Sequence, residues 1–319
     1  YTTTVLGTNA GDGTLAIFDD DASAAPDALT FSGQIGATGI KNLTVGNATQ
    51  GGSAIFTNAN PVAAVNITVT GGDNAAEDSV VEFQDAITAT AIVLQDTASG
   101  GVTTIEINST NGAQTIAGTI NGGAAGEGTL LLTDDDADAA PQALTFTGTI
   151  GNTAAVGVLN IGSATEPASA IFQGLVVANA VTITGGSSAN EDSAAEFQAT
   201  GTHTFSSVVL QDTASGGDTT LTFNTTNGDQ AIAGTIDGGA AGEGTLIVTD
   251  DDDTAAPDTT TFSGIVGGTA QVGALTIGST DNTAGGEAIF QAAVTVATIN
   301  VDGGNDNAED SFVEFESTL

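Results

Sequence analysis

The chain repeats itself, and the repeat limits what it can fold into. Residues 118–136 read GTINGGAAGEGTLLLTDDD, and residues 234–252 read GTIDGGAAGEGTLIVTDDD. A shorter match, GDGTL, stands at 11–15, in register with GEGTL at 126–130 and 242–246. Pro26, Pro141 and Pro257 follow in step, and VLQDTASGG occurs at 93–101 and again at 209–217. The long period is about 116 residues, which alone fits either tandem β-sandwich domains or a solenoid with a long super-repeat.

A shorter period separates the two. The last apolar residue of each turn–strand unit falls at Ile17, Phe56, Phe83, Ile107, Leu132, Phe172, Phe197, Phe223, Val248, Phe290 and Phe315. Steps of about 25 residues recur between these positions, broken by a step of about 40 once per super-repeat. A second apolar strand precedes each of these positions from Phe56 on, and the links are rich in Gly, Asn and Asp, residues that tolerate the positive φ of tight corners. Short alternating runs such as VTIT and TLTF read as strands with one buried face. We therefore expect an all-β fold, a parallel β-helix of about eleven coils of about 25 residues, with stacked Phe side chains in its core. The expected organisation is one continuous solenoid over 1–319, with super-repeats 11–125, 126–241 and an incomplete 242–319. Tandem β-sandwich domains are the alternative.

The extra residues of each long step begin on an acidic run: DDDASAAPDALTFSG from Asp19, DDDADAAPQALTFTG from Asp134 and DDDDTAAPDTTTFSG from Asp250. They read as a side loop, or a small side strand, that leaves the coil and returns. Placed every four coils on one face, the loops would stand about 19 Å apart.

Charge narrows the partners. The chain carries 39 acidic residues against Lys41 as its one Lys or Arg, a formal net charge of −38. Phosphate recognition needs clusters of Lys and Arg, so nucleic acid is not expected as a partner. An anionic membrane surface is disfavoured for the same reason. No apolar run approaches the roughly 18 residues of a membrane span, so direct membrane insertion is not expected. The chain has no Cys, and hence no disulfide and no thiolate metal site. It begins at Tyr1 with no visible signal peptide, and reads as a processed chain or a piece of a longer one.

Ca²⁺ takes six to eight oxygen ligands and accepts irregular loops. The candidate metal ligands are therefore the acidic runs: Asp19, Asp20 and Asp21; Asp134, Asp135 and Asp136; Asp250, Asp251 and Asp252. The competing reading is a solvated acidic edge that aids solubility. A second acidic corner recurs as NAAEDSVVEF from Asn74, NEDSAAEF from Asn190 and NAEDSFVEF from Asn307. It pairs Glu77 with Asp78, Glu191 with Asp192 and Glu309 with Asp310, and reads first as a turn whose side chains bond local backbone groups. The EF-hand loop, the β-roll nonapeptide, GxGxxG and the P-loop all fail on spacing.

Catalysis is not expected. His203 is the only His, lies in TGTHTF without a copy at the matching place, and reads as a surface or coil residue. Sugar-cleaving β-helices need irregular Arg, Lys, Tyr or Trp residues to grip substrate; this chain has no Trp and one Tyr.

The GTIDGGAAGEGTL unit, with the TLTF and VTIT strands, resembles the β-helical passenger repeats of bacterial autotransporter-type surface proteins. The acid-rich, Cys-free, Lys-poor composition is similar to that of surface-layer proteins. The resemblance implies an extracellular place on the bacterial cell surface and a role as scaffold, lattice or adhesin. The expectation is thus a non-enzymatic structural protein of a surface layer, filament or large adhesin, stabilised or assembled by calcium. Its partners would be itself, end to end or laterally, and cell-surface polysaccharide. A calcium-dependent tandem β-sandwich adhesin and a polysaccharide-degrading β-helix enzyme are the alternatives.

Overall fold

The computed structural model describes residues 4–19, 26–36, 39–57, 61–110, 112–135, 140–214, 216–225, 228–251, 258–279, 284–303 and 310–317. Every secondary-structure element in it is a β-strand. The chain forms two compact units, one of residues 1–136 with 142–159 and one of 137–141 with 160–319.

Unit 1 contains β1 (Asp12–Ile17), β2 (Ala28–Phe31), β3 (Ile40–Val45), β4 (Ser53–Phe56), β5 (Val62–Thr70), β6 (Ser79–Phe83), β7 (Ile87–Gln95), β8 (Thr103–Asn108), β9 (Gln114–Gly122), β10 (Glu127–Thr133) and β11 (Ala143–Phe146). The odd strands order as β1-β3-β5-β7-β9-β11 in a first ladder, and the even strands as β2-β4-β6-β8-β10 in a second. β12 (Val156–Ile161) spans the boundary. Unit 2 contains β13 (Ser169–Phe172), β14 (Val177–Thr184), β15 (Ser193–Phe197), β16 (Gly201–Gln211), β17 (Thr219–Asn224), β18 (Gln230–Gly238), β19 (Glu243–Thr249), β20 (Thr259–Phe262), β21 (Val272–Ile277), β22 (Glu287–Phe290), β23 (Val296–Val301) and β24 (Phe312–Phe315). Its odd strands again form the first ladder and its even strands the second. The pairings are parallel, for example Leu43↔Ile67, Ile67↔Ile92 and Phe197↔Phe223.

This is a β-solenoid of about ten turns, close to the eleven coils expected. The parallel ladders exclude the sandwich alternative, whose sheets are antiparallel. Period-2 alternation does the sorting: in β8, Thr103, Ile105 and Ile107 are buried, while Thr104 and Glu106 are half-buried. The expected phenylalanine ladder is present in both units. Phe31, Phe56 and Phe83 stack with ring centroids 5.2 and 5.1 Å apart. Phe172, Phe197 and Phe223 stack at 4.9 and 5.3 Å, and Phe262, Phe290 and Phe315 at 4.7 and 5.3 Å. Parallel strands about 4.8 Å apart put side chains of equal register at this stacking distance.

The side loop requires a correction. The ALTF or TTTF of each insertion is a full ladder strand: β2 pairs with β4, β11 with β9, and β20 with β22. One super-repeat therefore holds nine strands, from β2 to β10 or from β13 to β21, and the next begins at β11 or β22. With two strands per coil, nine strands make four and a half coils. Equivalent strands then fall in opposite ladders. In unit 1, β2 lies in the second ladder and β11 in the first; in unit 2, β13 lies in the first and β22 in the second. The acidic runs accordingly leave opposite ladders. Asp19 follows β1 of the first, and Asp134 follows β10 of the second. They do not line one face, because the insertion adds half a coil.

Candidate functional site

The acidic runs divide residue by residue. The first Asp of each closes its own loop, and in the second and third runs it also turns inward. Asp134 and Asp250 are only 2% and 5% exposed. Asp134 Oδ2 accepts the Gln142 N–H at 2.6 Å, and Asp250 Oδ2 accepts the Asp258 N–H at 2.6 Å. Asp19 Oδ2 accepts the Asp27 N–H at 3.1 Å, across the same eight positions. The second Asp reaches sideways to a buried asparagine. Asn108 Nδ2 donates to Asp135 Oδ1 at 2.7 Å and lies 3.4 Å from Glu82 Oε1. Unit 2 repeats this, with Asn224 Nδ2 donating to Asp251 Oδ2 at 2.7 Å and to Glu196 Oε1 at 2.9 Å. A neutral amide thus sits between two carboxylates at both places and relieves their repulsion. Asp20, Asp21, Asp136 and Asp252 lie outside the described residues. Among the described residues, no three His, Asp or Glu side chains gather as a metal shell.

The second acidic corner is built as a turn. Asn74 Oδ1 accepts the Ala76 N–H at 2.9 Å, and Asp78 Oδ1 accepts the Val102 N–H at 2.9 Å from the next coil. Ser79, fully buried, donates to the Thr70 carbonyl at 2.6 Å and accepts the Gly52 N–H at 3.0 Å. Ser193 does the same for Thr184 and Ala168, at 2.6 and 3.0 Å. Gly46 and Gly162, at φ 70° and 75°, make the close approach possible. A Cβ at either would overlap the Thr70 or Thr184 carbonyl and the same serine hydroxyl. Glu191 Oε2 accepts from Ser187 N and Oγ at 2.6 and 2.8 Å. Its counterpart Glu77 faces Asp73 instead of a serine, and its Oε1 is buried without a hydrogen-bond partner. Glu309 lies outside the described residues.

The aspartates of VLQDTASGG tie three segments together. Asp96 Oδ1 accepts from Thr103 N and Oγ1, both at 2.8 Å, and its Oδ2 accepts the Gly128 N–H at 3.0 Å. Asp212 makes the same bonds to Thr219 and Gly244, at 2.8, 2.7 and 2.9 Å. The acids of GEGTL close their own corners: Glu127 Oε2 accepts Ala124 N–H and Glu243 Oε2 accepts Ala240 N–H, each at 2.9 Å. Backbone N–H groups therefore do for these carboxylates what Lys and Arg do elsewhere.

Two features break the repeat. Asp218 stands where the earlier copy has Val102, and borders a recess of about 210 Å³ lined by Asp212, Thr219 and Gly244. Its carboxyl is raised above the usual range by desolvation, then by Asp212 and Asp192. His203, read from sequence as a surface or coil residue, is a coil residue that lies wholly in the core. Its ring meets Phe197 edge-on with centroids 5.0 Å apart. Burial lowers its pKa from 6.5 to about 4, against a smaller upward pull from the Ala199 carbonyl.

Comparison with protein-family models, curated proteins and solved structures finds no match. Sequence reasoning missed the asparagine bridges and the burial of His203. The constant eight-residue gap from Asp19, Asp134 and Asp250 to the amides they accept was the available signal for the loop closure.

Proposed function

We propose that the chain is a non-enzymatic structural segment of a bacterial surface layer, filament or large adhesin, placed outside the cell. It associates with copies of itself, and divalent cations, calcium first among them, damp its charge of −38. The reading rests on one observation above the rest: repeated polar side chains fasten coil to coil in both units. Asp96 and Asp212, Asn108 and Asn224, and Ser79 and Ser193 make matching bonds in successive super-repeats. Near-identical coils that spend their polar side chains on one another suit a scaffold better than a single cleft.

The test is sedimentation and electron microscopy of the purified chain in calcium and after chelation. Growth of assemblies in calcium, reversed by chelation, is the expected result. A monodisperse monomer at high concentration in calcium would overturn the association, and turnover in a screen of acidic polysaccharides would overturn the non-enzymatic reading.

A further inference from the structure

The corner between β15 and β16 is the place where unit 2 departs from its own repeat. Phe83 and Ile87 are four positions apart in unit 1, whereas their counterparts Phe197 and His203 are six apart. In unit 1 the Val62 N–H donates to the Ala86 carbonyl at 3.0 Å. In unit 2 the longer corner carries no carbonyl to that place, and the imidazole takes over. The Val176 N–H, matching Val62, donates to His203 Nδ1 at 3.2 Å. On the other side, His203 Nε2 lies 3.2 Å from the Ala199 carbonyl, inside the same corner. The ring therefore sits as the neutral tautomer with its proton on Nε2, clasping β14 at one end and the corner at the other. Packing alone does not call for a histidine, because Ile87 fills the matching core position.

We propose that His203 is a proton-operated latch on the β15–β16 corner, holding it to β14 when neutral and releasing it when protonated. A proton on Nδ1 would point at the Val176 N–H, so two donors would face each other and the bond would be lost. No opposing charge compensates. β14, β17 and the rest of β16 carry no titratable side chain. Glu196 of β15 is taken up by Asn224 and Gln198, and Asp237 of β18 by the Thr269 N–H. A proton reaches the site once the corner loosens. Ala199 and Thr200 line an open recess of about 560 Å³ with Gln173, Leu175 and Gln198.

The direction follows from linkage. The opened corner has an ordinary imidazole and takes up its proton near pH 6.5, whereas the closed corner takes it up only near pH 4. The clasp is at full strength above pH 6.5, weakens as pH falls through that window, and is lost below about 4. The closed-to-open ratio drops by about 300-fold across it.

The test uses the full chain. The single histidine gives one imidazole resonance to titrate, and hydrogen exchange corrected for intrinsic rates follows the amides of Val176, Gly201 and Thr204. The expected result is a ring titrating well below 6.5, with these three amides losing protection between pH 6.5 and pH 4 ahead of the Ser193 and Thr219 amides. His203→Ile supplies the residue of the earlier super-repeat and shares every carboxylate of the wild type, so its exchange at the three amides should not track pH in this window. His203→Gln, whose side-chain oxygen can accept the Val176 N–H, should keep protection at both ends and serves alone if the isoleucine variant does not fold. A ring titrating near 6.5, or the same pH-dependent loss in wild type and variants, would overturn the latch.

Discussion

Asp250 separates a structural role from a metal role for the acidic runs. Its carboxylate is 95% buried, and one oxygen accepts the Asp258 N–H at 2.6 Å. A hydrogen bond to a charged group contributes roughly 1.5–3 kcal/mol net, and a buried donor left unmatched costs a similar amount. In Asp250→Asn the amide nitrogen or oxygen must face that N–H without the charge; in Asp250→Ala nothing does. We expect a loss of about 2 kcal/mol for alanine and somewhat less for asparagine. With a urea slope of roughly 2–3 kcal/mol/M, the alanine variant's midpoint falls by about 0.7–1 M. The assay is urea unfolding followed by circular dichroism, run in calcium and again in chelator. Exchange at the Asp258 amide confirms that the loss is local. Because the bond is internal, the loss should be equal in both conditions. A loss seen only in calcium would make Asp250 a ligand first and refute the loop-closing argument. A loss under about 0.5 kcal/mol in both would refute the energetic weight given to the bond.

Other perturbations give sharp expectations. Gly162→Ala puts a Cβ into the Thr184 carbonyl at φ 75°, and should lower the melting temperature far more than Gly242→Ala, which shares a positive φ but has nothing within 4 Å of its Cβ. Ser193→Ala strips a buried donor from the Thr184 carbonyl and a buried acceptor from the Ala168 N–H, and should cost roughly 2–4 kcal/mol by urea titration. Phe197→Ala removes a ring stacked on both sides, and should cost about 3–5 kcal/mol with exchange protection lost first along β13 and β17. Asn224→Asp replaces the bridging amide with a third carboxylate beside Glu196 and Asp251; it should destabilise the chain in chelator and recover in calcium, read by thermal melts.

Much of the architecture is legible in the sequence, because stacking repeats the same demands every coil. The phenylalanines at 172, 197 and 223 announce their ladder by spacing alone, and the Gly-rich and Asx-rich links announce the corners. The insertion is harder to read. ALTF is four residues long and flanked by a loop composition of Ala, Pro and Asp, so its pattern does not distinguish a side strand from a ladder strand; pairing with β4 and β9 decides it. The acidic run is hard to read for a related reason. Three consecutive aspartates look alike in sequence, but a chain leaving a strand sends alternate side chains to opposite sides. Asp134 goes inward to an amide while Asp135 goes across to Asn108. His203 hides because its polarity suggests the surface. The two-residue lengthening of its corner is visible in Phe83–Ile87 against Phe197–His203, but only the fold brings the imidazole to the backbone N–H that it serves.

Nine strands per super-repeat also constrain how such a gene can grow or shrink. Loss or gain of one 116-residue block by unequal recombination leaves the coils stackable, since every strand still meets a parallel neighbour. It nevertheless hands each downstream strand to the other ladder, so any surface feature beyond the junction moves to the opposite side of the solenoid. Only changes in pairs of blocks restore the original sidedness. A lineage that depends on which side carries a given loop would keep length variants that differ by even numbers of super-repeats, and one that does not would show odd and even numbers alike.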